Sequence, residues 1–593
     1  MEHVRTTFEG NYKIFKEWDE VVNSAKQAIQ TLDRQDLLPH FEKVMKTMER
    51  MEITVEWKRN GRIVYYKDLS FRGLDILSCI ARKFEGYGEP LLPLATKAHK
   101  YCIEQLNKDI RDRRHRSSIY DLLSALLPIV GEDMVTSFPV IMGHVCRDTI
   151  CEKRFNEQHS HLKVSVLLVL KDYVEFMPKQ FKPFIEDTLK YATRLINYQG
   201  ELVRIASVDC ISMVLNAFQG LGFGGKLPET CEVLIPVLSQ VICADDAPCV
   251  VVKVITCLGD VFNRLKRNAV PNQEVADIVF KSIDWVFNDR TRCQVAMARY
   301  PESEEDYYEE SFGRMYFEAA AMFANFGHGL EQEIFLKYFK RIHPHLGRLQ
   351  TMIEAQSDET FYSSVSTMVI LLETKVTSFF DFLYPILLAG FRHTSADQRK
   401  IAIYAMGVLI LNTDNEKAVK AFPAIHLALC DRYDSETNAA IQDTVLGALG
   451  RMILSNAEGV PLDSMLLDFM SRLPLTEVFE ENVTMLKVFR LLYHEKRQKI
   501  DYFVERILEL TLLMVAKNEI SDPKWRKDAI DFAYKIKLNY PRIFDKMIKT
   551  HKEIESLIHS MIVLNEGDFF RIIYYKVTLF SKPKFVILFQ LFR

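Results

Sequence analysis

An apolar pair or triplet around a proline recurs along the chain, at intervals of roughly forty to fifty residues over much of its length. The pattern occurs at Leu37-Leu38-Pro39, Leu91-Leu92-Pro93, Phe138-Pro139-Val140, Phe181-Lys182-Pro183-Phe184, Leu234-Ile235-Pro236, Ile342-His343-Pro344, Leu383-Tyr384-Pro385 and Phe422-Pro423-Ala424. Proline is tolerated in the first turn of a helix, so each motif predicts a helix start. Such a period is typical of stacked helix pairs. The sequence therefore predicts an all-α solenoid, a right-handed superhelix of about twelve antiparallel helix pairs.

Chain length and charge narrow the choice of fold and partner. The chain has 593 residues, of which 48% are hydrophobic, whereas a single globular core stops growing at about 250 to 300 residues. An open array accommodates this length. The formal charge is only −3, from 76 basic and 79 acidic residues. The chain as a whole therefore has no electrostatic footprint for nucleic acid, and a charged partner must meet a local patch.

The eleven cysteines are scattered singly along the chain, many of them at apolar helical positions such as Cys79, Cys210 and Cys257. Because the N-terminus lacks a secretory signal, they are interpreted as reduced core residues of a cytosolic or nuclear protein. Closely spaced cysteines such as Cys146 and Cys151 lack zinc-ligand spacing. The longest apolar stretch, residues 368–391, is interrupted by three charges. We expect neither a metal site nor a transmembrane segment.

Helical periodicity indicates where several of the pairs lie. The predicted pairs include 161–176 with 182–196, 399–411 with 421–430, 437–454 with 462–472, and 480–493 with 501–515. Two first helices carry an acidic residue at the start and an arginine soon after, at Asp397 with Arg399 and at Glu201 with Arg204. Such an arginine can reach the neighbouring repeat. The arrangement resembles the Asp/Arg ladder of HEAT repeats.

Three segments depart from the repeating plan: two lie within the predicted array over residues 1–566, and the third follows it. Residues 53–66 alternate apolar and polar side chains around Asn60-Gly61, which predicts a β-hairpin. Residues 300–311 predict an exposed acidic loop, with carboxylates at Glu302, Glu304, Glu305, Asp306, Glu309 and Glu310. The loop is interpreted either as a solvated spacer or as a contact for basic cargo. Residues 567–593 form an atypical aromatic and basic tail.

Candidate chemical motifs favour structural interpretations. The glycine-rich run 220–226 lacks the preceding strand and the Ser or Thr after Lys226 that a phosphate-binding loop needs. His343 and His345 flank Pro344 without metal-ligand spacing, and the arginines of segment 111–116 are diluted by acids, which indicates a solvated face. No nucleophile and base pair, or pair of carboxylates, can be argued from spacing. The sequence predicts a protein that is not an enzyme and that binds no cofactor.

Specific residues suggest a relative. The run Asp397-Gln-Arg-Lys-Ile-Ala402-Ile-Tyr-Ala-Met-Gly407-Val-Leu409 resembles a conserved Asp-Pro-Glu-Val-Arg…Gly-Met-Gly-Val-Leu-Ala helix of the importin-β (karyopherin-β) family of nuclear transport receptors. The run Asn438-Ala-Ala-Ile-Gln-Asp443-Thr-Val-Leu-Gly447-Ala-Leu-Gly-Arg451-Met-Ile453 is similar to their Gly-Ala-Leu-Ala-Arg-Met-Ile helix. The turn Leu473-Pro474-Leu475-Thr-Glu477 resembles the Leu-Pro-Leu-Lys-Glu turn of the importin-four and importin-five branch.

The resemblance implies a receptor that binds basic protein cargo, such as histones or ribosomal proteins, on its second helices. It implies contact of the first helices with phenylalanine-glycine nucleoporins, release of cargo by the Ran GTPase, and shuttling between cytoplasm and nucleus. It implies neither direct nucleic-acid binding nor membrane insertion. Because the Leu-Pro-Leu turn lies near the C-terminal end in the family, the chain is interpreted as a C-terminal half that lacks the N-terminal Ran-binding repeats. The alternative is a static HEAT-repeat scaffold of a multiprotein complex, without nucleotide control.

Overall fold

The computed structural model describes residues 2–54, 56–59, 62–65, 67–86, 89–108, 113–150, 160–299, 305–353, 360–456, 458–460, 462–495 and 500–550. The chain divides into two compact units, Met1–Asp358 and Glu359–Arg593. Within the described residues, each unit is built from pairs of helices joined by short connections. Unit 1 contains seven such pairs and unit 2 contains five. The predictions of an all-α array and of about twelve pairs are confirmed.

Unit 1 contains the larger set of helices and the two described strands. In chain order these are α1 (Glu2–Thr31), α2 (Leu38–Thr54), β1 (Glu56–Arg59), β2 (Arg62–Tyr65), α3 (Lys67–Lys83), α4 (Leu92–Asn107), α5 (Arg113–Val130), α6 (Phe138–Ile150), α7 (Ser160–Phe176), α8 (Pro178–Phe181), α9 (Ile185–Leu195), α10 (Glu201–Ala217), α11 (Leu227–Ala244), α12 (Pro248–Leu265), α13 (Gln273–Phe287), α14 (Arg292–Arg299), α15 (Glu305–Gly327) and α16 (Gln332–Ile353).

Unit 2 continues with first and second helices in alternation. Its described helices are α17 (Phe361–Leu372), α18 (Phe380–Gly390), α19 (Ala396–Asn412), α20 (Asn415–Ser435), α21 (Ala439–Ser455), α22 (Leu462–Ser471), α23 (Asn482–Glu495), α24 (Val504–Ala516), α25 (Pro523–Asn539) and α26 (Pro541–Thr550).

The first helices of unit 1 form one layer, in which α3, α5, α7, α10, α12 and α15 each pack on the next. Equivalent residues meet at an offset of 48 residues, as where Ser117 and Ser165 share a hydrogen bond of 2.7 Å between their hydroxyls. The thiol of Cys257 likewise donates to Asp209 at 3.5 Å. The second helices α2, α4, α6, α9, α11 and α13 each pack on the first helix of the next pair, and α16 packs on α13 and α15. In unit 2, α17, α19, α21 and α23 pack in the same way.

The proline motifs predicted the second helices but not all of their first residues. Pro39, Pro93 and Pro139 lie at helix starts, and Pro183 lies in the 3-10 turn before α9. The prediction is wrong for the four prolines that lie inside a helix, Pro236, Pro344, Pro385 and Pro423. A proline within a helix leaves the carbonyl four residues earlier without its N–H donor. Three of the four prolines, Pro344, Pro385 and Pro423, are exposed, so water can reach the carbonyls near them. The Lys340 carbonyl, four residues before Pro344, also lies 3.1 Å from His343 Nδ1.

The segments that depart from the repeat have different outcomes. The hairpin is confirmed, because β1 and β2 pair antiparallel with Glu56 opposite Tyr65 and Lys58 opposite Ile63; its turn, 60–61, lies outside the described residues. The predicted acidic loop is wrong from Glu305 onward, where the described part of α15 begins. Carboxylates near the N-terminus of a helix interact favourably with its dipole, so a dense acidic run suits this position. The predicted tail, 567–593, lies outside the described residues.

The cysteines and the apolar helices also test the sequence interpretation. Cys210 and Cys257 are buried as predicted, whereas Cys79 is exposed, so its assignment to the core is wrong. Cys79 lies on α3, close to Asp75 and Arg82. Among the described residues, one stretch, Gly224–Ala244, is long and apolar enough to cross a membrane by length and composition. It contains α11, which packs on α12 and α13, and a core helix of a helical array passes the same test.

Candidate protein-binding surfaces and their supports

Buried ion pairs hold successive repeats together at the starts of the first helices. Arg204 Nε lies 2.8 Å from Asp245 Oδ2, and its Nη1 donates to the carbonyls of Tyr198 and Gln199, both at 2.9 Å. Arg399 repeats the arrangement in unit 2, where its Nε donates to Glu436 at 3.0 Å. Each arginine thus joins its own inter-helix turn to an acidic residue about one repeat later. The predicted arginine ladder is confirmed at both positions, and its role is structural.

The turn that carries the family resemblance is anchored by one buried carboxylate. Asp443, on α21, accepts the backbone N–H groups of Thr476, Glu477 and Val478 at 2.9, 2.7 and 2.9 Å. Leu473 and Leu475 are buried, and the Leu473–Pro474 peptide bond is cis. Because the carboxylate satisfies three consecutive donors, it fixes the path of the chain from α22 to α23.

A second carboxylate, that of Glu481, fills the space beside Gly447 of α21. Glu481 pairs with Arg451 at 2.9 Å and accepts the Thr484 hydroxyl at 2.9 Å. A Cβ on Gly447 would stand 2.4 Å from the Glu481 carboxyl carbon. The residues that resemble the family most specifically are therefore packing and turn residues rather than contacts for a ligand.

A groove in unit 1 crosses three second helices. It encloses about 890 Å³ between α6, α9 and α11, with Thr149, Tyr191 and Val233 among its lining residues. Val233 is 64% exposed, which is unusual for a valine on a helix that packs on its neighbours. The groove also contains two acids, Asp187 and Glu229, and two bases, Lys190 and Arg194. An apolar floor with charges of both signs can bind a protein segment, because it combines buried area with positions for ion pairs.

Acidic residues occupy the first turns of many second helices. They are Glu186 and Asp187 of α9, Glu229 of α11, Glu274 of α13, Glu333 of α16, Asp381 of α18 and Glu416 of α20. Several make exposed contacts with the next repeat, such as Lys226 to Glu186 at 3.0 Å and Lys417 to Asp381 at 2.8 Å. The pKa of the Glu186 carboxyl is lowered by its hydrogen bond and its charge interaction with Lys226. In each unit, the first turns of these second helices are thus rich in carboxylates.

The residues predicted as a cargo contact lie at the start of α15. Glu305, Asp306, Glu309 and Glu310 belong to its first turns, and Glu302 and Glu304 lie outside the described residues. The base of this segment is fixed by a polar cluster, in which Arg348 donates to Asp289 at 3.2 Å and its guanidinium stacks on the ring of Tyr316.

The other candidate motifs have structural surroundings. Gly222, with a φ of 79°, turns the chain between α10 and α11, as expected for a connection rather than a phosphate-binding loop. Arg114 stacks on Phe71, and Arg116 pairs with Asp148 at 2.5 Å. His345 stacks on Phe287 with ring centroids 5.3 Å apart. The part of the chain that the structure describes contains no cluster of three metal-ligating side chains.

Sequence comparison finds relatives over part of the chain. No protein-family profile matches it. A segment is 28% identical to human importin-4 over 138 residues, which is 23% of this chain and 13% of the relative. A similar segment is 27% identical over 139 residues to a probable importin subunit beta-4 of Schizosaccharomyces pombe, again 23% of this chain and 13% of the relative.

Structural comparison covers much more of the chain. Kap121p bound to Nup53p matches with a TM-score of 0.53 at 14% identity, over 90% of this chain and 56% of Kap121p. Kap121p bound to RanGTP matches with a TM-score of 0.52 at 13% identity, over 88% of this chain and 55% of the other. The chain thus spans about half the length of these karyopherins. The resemblance to the importin-β family of karyopherins is confirmed, by sequence over about a quarter of the chain and by fold over most of it.

Proposed function

We propose that the chain acts as a nuclear transport receptor of the karyopherin-β type and carries protein cargo between cytoplasm and nucleus. The observation that carries this proposal is the similarity to importin-4, together with a turn anchored by Asp443 whose sequence resembles that of the importin-four and importin-five branch. The relatives are named as importins, which supports a role in binding rather than in catalysis.

The proposed cargo is a basic protein, such as a histone or a ribosomal protein, held on the second helices. The carboxylates in the first turn of α13 in unit 1, and in the first turns of α18 and α20 in unit 2, support this choice, because like charges attract and orient a partner of opposite charge. The acidic segment from Glu302 to Glu310 would add to the association rate in the same way.

Nucleoporins and the Ran GTPase are the other proposed partners. Kap121p has been solved with Nup53p and with RanGTP, and shares its fold with this chain. By the family resemblance, phenylalanine-glycine segments would contact the first helices, and Ran in its GTP form would release the cargo. These contacts are proposed for the receptor to which the chain corresponds.

A pull-down of the receptor to which the chain corresponds, with Ran loaded with GTP or GDP, tests a transport receptor against a static scaffold. A transport receptor retains RanGTP in preference to RanGDP and loses bound histone tail when RanGTP is added. A scaffold retains its partner whichever nucleotide is present. Equal retention of cargo with both forms of Ran would overturn the proposed nucleotide control.

A separate experiment tests the acidic segment. The six acids from Glu302 to Glu310 are replaced by Ser and Gln, and the association of a histone tail is followed by stopped flow at low and moderate salt. Exposed charges more than about 8 Å apart are largely screened at physiological ionic strength, so the rate difference should shrink as salt is added. Equal association rates at low salt would leave the segment as a spacer.

A further inference from the structure

Two second helices of unit 2 expose leucines next to carboxylates. Leu427 of α20 and Leu467 of α22 are 62% and 68% exposed, although both belong to helices that pack in the array. Three exposed aspartates accompany them, Asp431 and Asp434 on α20 and Asp468 on α22. We call these five residues the acidic leucine surface.

Helix geometry and one arginine bring Leu427 and the three aspartates together, and Leu467 directly precedes Asp468 on α22. Leu427, Asp431 and Asp434 are spaced i, i+4 and i+7, so they share one face of α20. Arg472, directly after α22, donates from Nη2 to Asp434 at 3.0 Å and forms an ion pair with Asp468 at 2.9 Å. The arginine therefore joins the two helices at the acidic end of the surface.

The shared arginine leaves both carboxylates accessible. Its side chain is only 13% exposed and stacks on the ring of Tyr433, 4.2 Å from the centroid. Asp434 and Asp468 remain 65% and 48% exposed. Since a carboxylate offers about four acceptor positions, each has further positions directed to solvent. Arg472 orients the two carboxylates and holds them without covering them.

Basic groups near the acidic leucine surface offset only part of its charge. Lys420 is 3.7 Å from Glu416, an acidic partner outside the surface. Glu436 contacts both Arg432 at 3.6 Å and Arg399 at 3.0 Å, so it cannot offset the charge of both arginines. Burial lowers the pKa of His426, which leaves this imidazole neutral at neutral pH. The three aspartates therefore face two nearby arginines, Arg472 and Arg432, and the surface keeps an excess of negative charge.

We propose that the acidic leucine surface binds a protein segment in which a lysine or arginine stands within one or two helical turns of an apolar side chain. The inference rests on the proposed function, for which it names one cargo subsite and its chemistry. The apolar side chain covers Leu427 and Leu467, and the cation is placed among Asp431, Asp434 and Asp468. Burial of the leucines supplies binding energy, and the carboxylates select the sign of the partner's charge.

The unit 1 groove does not offer the same selection. It carries Lys190 and Arg194 beside Asp187 and Glu229, so its charges nearly cancel. A basic segment and an acidic segment would meet comparable attraction there. The requirement for both an apolar and a basic residue is therefore specific to the surface on α20 and α22.

The test uses the full chain and a fluorescent peptide of lysines and leucines, with one version in which glutamate replaces lysine and one in which serine replaces leucine. Asp431→Asn, Asp434→Asn and Asp468→Asn are combined in one variant, and Leu427→Ser and Leu467→Ser in another. The control for the aspartates changes three other exposed acids in one variant, by Glu85→Gln, Glu175→Gln and Asp260→Asn. Glu175 and Asp260 lie on first helices, and Glu85 follows one. The control for the leucines combines Leu202→Ser and Leu538→Ser, both of which are also well exposed.

Binding is measured by fluorescence anisotropy at low and moderate salt. We expect each variant of the surface to weaken binding by about tenfold or more at low salt and each control by less than about twofold. Neither altered peptide should bind as the original does. Equal weakening by the surface variants and their controls, or equal binding of the serine peptide, would overturn the proposal.

Two further measurements separate loss of the subsite from disruption of the Arg472 pairs and from failure of the proposed receptor function. Asp431→Asn with Leu427→Ser leaves the pairs of Arg472 intact, so a loss of binding by this variant cannot come from disruption of that pair. Binding of a histone tail is followed in the same proteins. If the histone tail is still bound and the surface variants bind the peptide as the original chain does, the subsite is wrong while the proposed receptor function stands.

Discussion

Gly407 of α19 lies directly against Ala448 of α21, with the Ala448 Cα 3.0 Å from the point that a Cβ on Gly407 would occupy. The Cδ of Arg451 is 3.2 Å from the same point. A glycine within a helix costs about 1 kcal/mol relative to alanine. Close packing of the first helices is what offsets this cost.

Gly407→Leu should therefore lower the melting temperature. The added side chain meets backbone as well as side-chain atoms, so α19 and α21 must move apart, at a cost of about 1 to 3 kcal/mol or more. Gly143→Leu is the control, because a Cβ at Gly143, also within a helix, meets no atom within 4 Å. Calorimetry gives the melting temperatures of both variants. Equal melting temperatures would contradict the interpretation that Gly407 is required for close packing of α19 on α21.

The repeat could be predicted from the sequence because it depends on the interval between the proline motifs and on the helical spacing of apolar residues, both of which the sequence contains. Helix pairs such as α19 with α20 and α21 with α22 were predicted to within a few residues except at both ends of α20, which was expected over 421–430 and runs from Asn415 to Ser435. There Pro423 lies within the helix, and a proline on an exposed face loses little by its missing N–H. Proline therefore marks a second helix more reliably than it marks its first residue.

The binding surfaces could not be predicted in the same way. Leu427 and Leu467 differ from buried leucines only in the direction of their side chains, which depends on the orientation of each second helix in its layer. The aspartates around them looked like ordinary solvated charges, because the contact through Arg472 joins residues that are 38 positions apart in the chain. The sequence did contain the resemblance, and its residues proved to be structural anchors.

Asp443 should be essential to the turn after α22. Asp443→Ala leaves the N–H groups of Thr476, Glu477 and Val478 without their acceptor, and we expect a loss of about 2 to 4 kcal/mol in the free energy of unfolding. Hydrogen exchange should rise at these three amides before it rises in α21. Asp431→Asn, an exposed aspartate on α20, is the control. Unchanged exchange at 476–478 in Asp443→Ala would show that the backbone holds the turn without the carboxylate.

The two kinds of inter-repeat ion pair should differ in their effect on stability. Arg399→Lys cannot maintain both the contact with Glu436 and the bonds to the carbonyls of His393 and Thr394, so it should cost about 2 to 4 kcal/mol. Lys226→Met removes an exposed pair and should leave the denaturant midpoint nearly unchanged. Similar midpoints for the two variants would mean that the buried ladder adds nothing.

A buried carboxylate in the first-helix layer should make stability depend on pH. Burial raises the pKa of Asp121 to about 6, with Asp75 adding to the shift and Ser165, Arg82 and His161 opposing it. Because the folded chain then binds the proton more tightly than the unfolded chain, this contribution to stability is present below about pH 4 and is lost as the pH rises to about 6.

Asp121→Asn removes that dependence, since the amide stays neutral. The melting temperature of the variant relative to the original should therefore be higher at pH 7.5 than at pH 4. Asp260→Asn, an exposed change in the same layer, should show no such trend. A difference between Asp121→Asn and the original chain that stays constant with pH would exclude Asp121 as the source.

Lys266 follows α12 with a φ of 48° and a ψ of −122°, close to the first central position of a type II′ turn. This region suits glycine, and a residue with a side chain is strained there by about 1 to 3 kcal/mol. Lys266→Gly relieves the strain but adds freedom to the unfolded chain, so we expect a net gain of about 1 kcal/mol, read from the denaturant midpoint. Lys266→Ala removes the long side chain and keeps the Cβ, so it should bring no gain. If alanine stabilised the chain as much as glycine does, the lysine side chain rather than the backbone would be the source of the strain.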